Sequence, residues 1–520
     1  MTSLPRLSPA TLATLSAGGL DPAVRPLAAL DRDAAPGIVH LGIGAFHRAH
    51  QAVFTEQAAT LTGDDRWGIV GVTQRSASVR DQLLPQAGLY GVLELSDAGS
   101  RLDLIGAVRD VLFPAEDTAR VLECVAAAST HIVSLTVTEK GYRRAPGGGP
   151  DLADAALAFD LEVLAKEIDG STADASVPSR SAIGLLLRAL TRRWRGDAQP
   201  ITVVVCDNLL DNGPTVERLV YAILEVSPAA GAVEFAQWLR ASVAFPATMV
   251  DRIVPATTDA HRATAQQLLG ASDAGLVVAE PFTQWVIEDR FTGPHPAWED
   301  AGATFTDHVA PYEHAKLRIL NGTHSMLAYA GALRGHALIA DAVADPELHA
   351  LARTQIDDDA IPSLGERGEI DLEAYRESVL ERFANGAIGH TTVQIAMDGS
   401  QKVPIRFLAT ARDRLDAGHV PHAMARAVAA WMLYVRACAQ GELVVAGAPV
   451  VLDDPLASLL ADAAAGPVGG LAGRMLAVRE VFPAALAEDD RWRHAVSAAV
   501  RDVAALVATA SAVNSAAVSS

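Results

Sequence analysis

The chain has little of what marks secreted, membrane-spanning or nucleic-acid-binding proteins. Only three of its 520 residues are cysteines, and they lie too far apart for a disulfide framework or a zinc-type cluster, as is typical of a reducing compartment. No apolar run reaches the roughly 18 residues of a membrane span, and the first residues lack the basic and apolar regions of a signal peptide. A net charge of −20 disfavours nucleic acid and anionic membranes as partners. We therefore expect a cytoplasmic protein that acts on a small molecule.

The apolar residues change their spacing along the chain. A hydrophobic content of 50% over 520 residues allows large cores and most simply predicts two domains. Up to about residue 210, short apolar strands alternate with helical stretches, which indicates a mostly parallel sheet covered by helices. The clearest predicted strands are residues 38–41, 68–72, 132–137 and 201–205. After about residue 240 the spacing becomes helical. The clearest predicted helices are residues 313–335, 337–355, 371–384, 419–438 and 491–508.

A glycine-rich segment follows the first of these strands. Gly42-x-Gly44 stands between an apolar run and a helix-compatible stretch, the order of a dinucleotide-binding strand–turn–helix unit. Gly42 would allow the tight turn, and Gly44 would let a pyrophosphate approach the start of the helix. His47 occupies the place of the usual third glycine, so the pattern is weak when taken alone. It predicts an N-terminal Rossmann-type domain at residues 1–240 and a mainly α-helical domain at residues 241–520.

A second group of polar residues lies in the C-terminal half. Lys316, Asn321 and His324 fall within nine residues of a helical pattern that begins near residue 312. At about 100° per residue they span about 140° of one flank, so all three can line one pocket. Ketone reduction needs such a set: a group that exchanges a proton at the oxygen, and neutral donors for the developing oxyanion. The alternative is a solvated lysine with two polar neighbours, which is commoner on an arbitrary helix.

These two segments together resemble the long-chain mannitol dehydrogenase family of polyol-specific dehydrogenases. Residues 42–51 are similar to that family's cofactor signature, and Lys316-x4-Asn321-x2-His324 is similar to its catalytic motif. Further similar segments, in the same order and spacing, are residues 134–142, 206–213, 248–252, 280–289 and 398–402. The resemblance implies an NAD-dependent dehydrogenase with a Rossmann-type domain, a helical domain and an active site in the cleft between them.

The resemblance also implies roles for individual residues. Lys316 matches the catalytic lysine, which in this family acts without a metal. Asn321 and Asn212 match the pair that stabilises the oxyanion, and His324 would orient substrate hydroxyls. Asn208 competes with Asn212 for its role, because both lie in one loop after a strand. The spacing favours Asn212 and leaves Asn208 to shape the turn.

Other positions match contacts to cofactor and substrate. The expected cofactor-binding residues are Gly42, Gly44, Phe46, Arg48, Arg75 and Glu139, with Arg48 facing the pyrophosphate. The expected substrate-binding residues are Asp251, Lys402, His390 and Gln394. A metal site at His40, His47 and His50 is the alternative use of the first segment. No carboxylate or cysteine completes a convincing ligand set there, so we expect no metal.

Two departures from the mannitol 2-dehydrogenase pattern bear on specificity. Residues 72–78 contain no acidic residue to bind the adenosine ribose, so NADP is expected to be tolerated beside NAD. Gln394 stands where mannitol dehydrogenases have an arginine, and its surroundings resemble the fructuronate reductases of the same family. We therefore expect reduction of D-fructuronate to D-mannonate. The alternatives are mannitol 2-dehydrogenase or another ketose–polyol pair and, from a different class, a non-catalytic nucleotide-binding regulator.

Overall fold

The computed structural model describes residues 4–27, 31–170, 175–196, 199–365 and 370–518, apart from the side chains of 509–518. The chain forms two compact units, Met1–Val309 and Ala310–Ser520. The sequence predicted a boundary between residues 240 and 241, whereas the two units meet between residues 309 and 310. The physical reason is that residues 243–306 contribute strands to the sheets of the first unit.

The strands, numbered in chain order, are β1 Val24–Arg25, β2 Ile38–Leu41, β3 Ile69–Val72, β4 Tyr90–Ser96, β5 Gly99–Ile105, β6 Val108–Leu112, β7 Ile132–Leu135, β8 Ile201–Val205, β9 Val243–Ala244, β10 Thr248–Asp251, β11 Val277–Ala279, β12 Gln284–Glu288, β13 Thr304–Thr306, β14 Val444–Val445 and β15 Ala448–Pro449. The α-helices of the first unit are α1 Pro9–Gly18, α2 Ala45–Ala49, α3 Gln51–Thr62, α4 Ser78–Leu83, α5 Pro114–Ala126, α6 Ala155–Ile168, α7 Ala182–Arg195, α8 Asn212–Glu225, α9 Ala232–Ser242 and α10 Asp259–Leu269.

The α-helices of the second unit are α11 Ala310–Ala315, α12 Gly322–Leu333, α13 Ile339–Ala344, α14 Pro346–Thr354, α15 Ile361–Ser363, α16 Leu372–Ala384, α17 Thr392–Ala396, α18 Gly399–Val403, α19 Ala409–Asp416, α20 His422–Ala439, α21 Ala457–Ala464, α22 Leu471–Leu476, α23 Ala484–Ala487 and α24 Asp490–Val518. Its π-helical segments are Lys316–Asn321, Gln355–Ala360 and Pro404–Leu408. The 3₁₀ turns are Asp65–Trp67, Leu84–Gln86, Glu139–Tyr142, Gly386–Ile388 and Val468–Gly470.

A six-stranded parallel sheet organises the first unit, in the order β6-β3-β2-β7-β8-β9. Its central strands β2, β3, β7 and β8 are buried at every residue, as expected for strands covered by helices on both faces. They correspond to the four strands predicted from the sequence. The predicted Rossmann-type α/β fold is confirmed. Two smaller sheets, β1-β5-β4-β11 and β10-β12-β13, complete the unit, and their shortest strands carry too few residues for a clear apolar pattern.

The second unit is a helical assembly around the long buried helix α20, which packs against α12 and α24. The predicted helix at 337–355 is divided, because Asp345 caps a new helix by accepting hydrogen bonds from the N–H groups of Glu347 and Leu348. Pro346 then takes the first helical position, where its missing N–H costs nothing. In the described part of the chain no helix is both long and apolar enough to cross a bilayer.

Candidate active site

The glycine turn after β2 is closely packed on one side and open on the other. Gly42 has φ +101°, and a Cβ there would collide with the main-chain carbonyl of Thr136. Around Gly44 there is space, since the nearest atom to a Cβ would be the Gly42 carbonyl oxygen at 3.8 Å. Gly44 is exposed and caps α2, and Phe46 beside it is half-buried. Such a turn fits the pyrophosphate of a dinucleotide, which needs close backbone approach.

Arg48 does not take the predicted role of facing the pyrophosphate. Its side chain is buried, and its Nε donates to the carbonyl of Gly44 at 3.2 Å. One terminal nitrogen donates to the carbonyl of Gly275, and the guanidinium lies 5.7 Å from the centre of the Tyr90 ring. These contacts tie the glycine turn to the segment before β11. Arg48 therefore supports the turn from inside the protein.

The three histidines near this turn form part of the packing. The rings of His40 and His47 stack at 3.4 Å, and His40 hydrogen bonds the hydroxyls of Ser134 and Thr136, both at 2.8 Å. Burial lowers the pKa of His40 to about 3 and that of His47 well below its usual value, so both rings are neutral. Among the described residues, no group of three or more His, Cys, Asp or Glu side chains is arranged to hold a metal ion.

The expected cofactor-binding residues other than Arg48 share one edge of the parallel sheet. Gly42 and Gly44 follow β2, Arg75 follows the neighbouring β3, and Glu139 follows β7 on the other side. Arg75 and Glu139 are both exposed. The carboxyl edge of an open parallel sheet, near its central strands, is where nucleotides bind in such folds.

Asp207 joins two of the segments that resemble the family, residues 134–142 and 206–213. Its carboxylate accepts hydrogen bonds from the N–H groups of Val137 and Thr138, at 3.0 and 2.8 Å, and from the hydroxyl of Tyr142 at 2.6 Å. Thr138 has φ +68°, a costly conformation for a β-branched residue. Burial raises the pKa of Asp207, and these three donors act against that rise. Asp207 therefore holds the loop that leads to Glu139 in a strained shape.

The amide of Asn212, the predicted oxyanion donor, is held by main-chain partners. It is 1% exposed, and its amide nitrogen donates to the carbonyls of Val205 and Thr248, at 2.8 and 2.9 Å. Its amide oxygen accepts from the N–H groups of Gly213 and Thr248, which fixes the orientation of the amide. Both amide hydrogens are therefore engaged by the main chain. Asn208, the rival that the spacing disfavoured, is exposed at the carboxyl end of β8. Asp251 is buried at the end of β10.

In the second unit, Lys316 and Asn321 of the predicted catalytic motif lie on a π-helical segment, and His324 lies in α12, which follows it. The helical path begins at Ala310, and the N–H of Gly322 donates to the carbonyl of Leu317, five residues earlier. Because π turns join residues five apart, Lys316 and Asn321 lie closer to one side of the helix than α-helical geometry predicts. Lys316 is 8% exposed and Asn321 is half-buried. Such bulges are frequent at functional sites.

The three π-helical segments pack together at Gly322. A Cβ on this glycine would lie 3.2 Å from the amide nitrogen of Gln355 and 3.4 Å from the carbonyl oxygen of Arg406. Each of these neighbours belongs to a different π-helical segment. The glycine therefore permits the close approach that places the three segments around the Lys316 motif.

His324 lies in a cluster of basic side chains with His390 and Lys402, two of the predicted substrate residues. The His324 ring stacks on Phe383 at 4.7 Å and lies 5.6 Å from the His390 ring. Burial lowers the pKa of His324 well below its usual value, and the nearby His390, Arg406, Arg382 and Lys402 lower it further. His324 is therefore a neutral hydrogen-bonding group.

Lys402 is the second member of this cluster. Its Nζ donates to the carbonyl of Ile395 at 3.1 Å, and burial, helped by Arg406, lowers its pKa to about 8. Gln394, predicted beside it, is exposed on α17 and has no side-chain hydrogen bond to any residue that the structure describes.

Arg406 is a member of the cluster that sequence reasoning missed. One of its terminal nitrogens donates to the main-chain carbonyl of Asn321 at 3.2 Å and to the hydroxyl of Ser325 at 2.7 Å. The residue stands four positions after Lys402 in the helical path, and this spacing was the one available signal. We name His324, His390, Lys402 and Arg406 the basic cluster.

Comparisons with known proteins agree with these features. Residues 36–300 match the mannitol dehydrogenase Rossmann domain, and residues 308–504 match the mannitol dehydrogenase C-terminal domain. The chain is 39% identical to the uncharacterized oxidoreductase YeiQ of Escherichia coli (strain K12), covering 90% of this chain and 92% of that protein. It is 40% identical to the D-mannonate oxidoreductase of the same organism, covering 77% and 80%.

A solved structure extends the comparison to the whole fold. The ternary complex of Pseudomonas fluorescens mannitol 2-dehydrogenase with NAD and D-mannitol has a TM-score of 0.80 and 33% identity, covering 97% of this chain and 98% of that one. The resemblance expected from the sequence is confirmed. The chain belongs to the mannitol dehydrogenase family of oxidoreductases.

Proposed function

We propose that this protein is an NAD-dependent reductase that converts D-fructuronate to D-mannonate. The observation that carries the proposal is the basic cluster beside the Lys316 motif. A buried carboxylate needs cationic or multiply hydrogen-bonded partners, because leaving it unpaired costs several kcal/mol. A neutral ketose needs no such partners. The 40% identity to a D-mannonate oxidoreductase supports the same substrate.

Each residue has a part in this reaction. When bound, NAD supplies or accepts the hydride; Gly42, Gly44, Phe46, Arg75 and Glu139 would hold it. Lys316 donates the proton to the ketone oxygen during reduction. Asn321 and, in place of Asn212, Asn208 donate hydrogen bonds to the developing oxyanion. Neutral His324 orients substrate hydroxyls, and Asp251 binds substrate.

A substrate panel tests the proposal. Initial rates with NADH are measured on D-fructuronate, D-tagaturonate and D-fructose, and in reverse on D-mannonate and D-mannitol with NAD. We expect the highest kcat/KM on D-fructuronate. Faster reduction of D-fructose would overturn the assignment in favour of a mannitol 2-dehydrogenase. NADH binding without turnover of any of these compounds would favour a non-catalytic nucleotide-binding protein.

The cofactor loop after β3 leads to a prediction about NADP. Arg75 is exposed and no acidic residue lies in 72–78, so nothing repels a 2′-phosphate. We expect NAD to be preferred but NADPH to support measurable turnover. Ser78→Asp, at the first residue of α4, should widen the preference for NADH at least about tenfold in kcat/KM, roughly 1.4 kcal/mol.

The control for this variant is Ala260→Asp, which adds the same charge to the exposed first turn of α10. It should leave the NADH to NADPH ratio unchanged. A parent enzyme that gives no turnover at all with NADPH would contradict this interpretation of the loop.

Lys402 predicts a pH dependence. Its pKa of about 8 means that it is charged below this pH and loses its charge above it. Its neighbours are Arg406, which lowers the pKa, and Asp398 and Asp454, which raise it. We therefore expect kcat/KM on D-fructuronate to fall as the pH rises through about 8, mainly through KM. Since a charged hydrogen bond contributes about 1.5–3 kcal/mol, Lys402→Ala should cost about ten- to a hundredfold at pH 7.

Lys402→Arg is the matched control, because arginine stays charged throughout this range. The fall above pH 8 should disappear in that variant. If the fall persists unchanged, another group is responsible and the binding role of Lys402 is wrong. If Lys402→Ala affects D-fructose and D-fructuronate equally, Lys402 binds hydroxyls common to both.

A further inference from the structure

We propose that Arg406 is the residue that selects sugar acids over neutral ketoses, by binding the substrate carboxylate with two parallel hydrogen bonds. This inference rests on the proposed function and deepens it, since it names the group that recognises the substrate's remote end. None of the expected substrate contacts included this residue.

The surroundings of Arg406 hold the guanidinium in place without neutralising it. One terminal nitrogen is anchored to the Asn321 carbonyl and the Ser325 hydroxyl, which are both uncharged acceptors. Within the described part of the chain, no carboxylate lies within ion-pair distance of Arg406. Partly buried arginines are normally paired, because an uncompensated charge is costly to desolvate.

Arg406 lies among groups of the same sign of charge, since it lowers the pKa of Lys402 and both residues lower the pKa of His324. Asp398 and Asp454 raise the pKa of Lys402, whereas neither carboxylate shifts the pKa of Arg406. Of these two carboxylates, Asp454 is engaged with Ser400, whose N–H and hydroxyl donate to it at 2.8 and 2.6 Å. Among the described residues Arg406 therefore lacks a carboxylate partner, and an anionic ligand would supply the missing negative charge.

The anchoring also selects the geometry of that ligand. Both hydrogens of the anchored nitrogen are used, which leaves Nε and the second terminal nitrogen along one edge of the planar guanidinium. These two donors match the two oxygens of a carboxylate, whereas a hydroxyl can engage only one of them well. The anchor to Asn321 ties this edge to the helix that carries the oxyanion donor and Lys316.

The competing explanation is that Arg406 only positions the main chain of Asn321. The two explanations differ in what they predict for uncharged substrates. A positioning role lowers activity on sugar acids and neutral ketoses alike, because both need Asn321. A carboxylate-binding role lowers activity on sugar acids alone.

The experiment compares Arg406→Met, which keeps a long side chain without charge, with Arg406→Lys, which keeps charge without the two-point geometry. The control is Arg412→Met, an exposed arginine on the adjoining helix α19. For each protein we would measure kcat/KM on D-fructuronate and D-fructose, inhibition by D-mannonate and D-mannitol, the Kd for NADH and Tm.

For Arg406→Met we expect kcat/KM on D-fructuronate to fall at least about a hundredfold, mainly through KM, and D-mannonate inhibition to weaken similarly. Activity on D-fructose and inhibition by D-mannitol should change less than about threefold. Arg406→Lys should recover part of the loss, and Arg412→Met should resemble the parent.

Equal losses on both substrates, or an unchanged D-fructuronate rate, would overturn the proposal. If Arg406→Met lowers Tm strongly, the losses of kcat/KM on D-fructuronate and D-fructose are compared in Arg406→Lys instead. A parent that prefers D-fructose contradicts the proposed function instead. In that case the inhibition by D-mannonate decides the role of Arg406. Weaker inhibition of Arg406→Met than of the parent supports carboxylate binding, and equal inhibition overturns it.

Discussion

Lys316→Ala is expected to lower kcat by about 10² to 10⁴-fold, roughly 3–5 kcal/mol, while the Kd for NADH stays close to that of the parent. Within the Lys316–Asn321 segment only Lys316 and Arg318 have cationic side chains. An arginine does not give up its proton in proteins, which leaves Lys316 as the proton donor to the ketone oxygen. It is 8% exposed, so water cannot readily replace it. Steady-state kinetics with NADH and D-fructuronate, together with fluorescence titration of NADH, measure both quantities.

The control is Lys166→Ala, which removes an exposed lysine from α6 in the first unit. It should leave kcat within about twofold. A primary amine such as methylamine should restore part of the activity of Lys316→Ala, because it supplies the missing ammonium group to the vacated space. A Lys316→Ala protein within about tenfold of the parent would show that another group transfers the proton.

The sequence was sufficient for the parts of the fold that depend on local pattern. Strands such as Ile38–Leu41 and Ile201–Val205 were predictable because they are buried on both faces and therefore consist mostly of branched aliphatic residues. The domain boundary was not predictable in the same way. Residues 243–306 join the sheets of the first unit through the short strands β9 and β11, whose pairing partners β8 and β4 lie much earlier in the sequence.

The site was predictable in its residue types but not in its geometry. A period of 3.6 residues describes the segment around Lys316 well enough to identify a helix, but it does not show the π turn or the close packing at Gly322 that follows it. Arg406 was not predicted as a site residue, because nothing in the local sequence shows whether an arginine has a carboxylate partner. That property belongs to the tertiary structure, and it decides whether the charge is available to a ligand.

Asn208 and Asn212 illustrate the same difference within one loop. Both are amides after the same strand, so residue type could not separate them, and the spacing favoured Asn212. Three-dimensional packing separates them, since Asn212 is saturated by main-chain partners and Asn208 is exposed. The first should therefore matter for stability and the second for chemistry.

This assignment gives a pair of variants with opposite expected effects. Asn208→Ala should lower kcat on D-fructuronate about 10² to 10³-fold, the usual cost of removing an oxyanion donor, with Tm nearly unchanged. Asn212→Ala should leave the buried N–H groups of Thr248 and Gly213 without their acceptor, at about 1–3 kcal/mol for each group. Its Tm should fall by about 5 °C or more, while kcat per folded molecule stays within about tenfold. Each variant serves as the control for the other, with kcat and Tm measured on both. The reverse result, a stable Asn212→Ala protein without activity beside an active Asn208→Ala protein, would return the oxyanion role to Asn212 and require its amide to leave the main-chain partners that hold it.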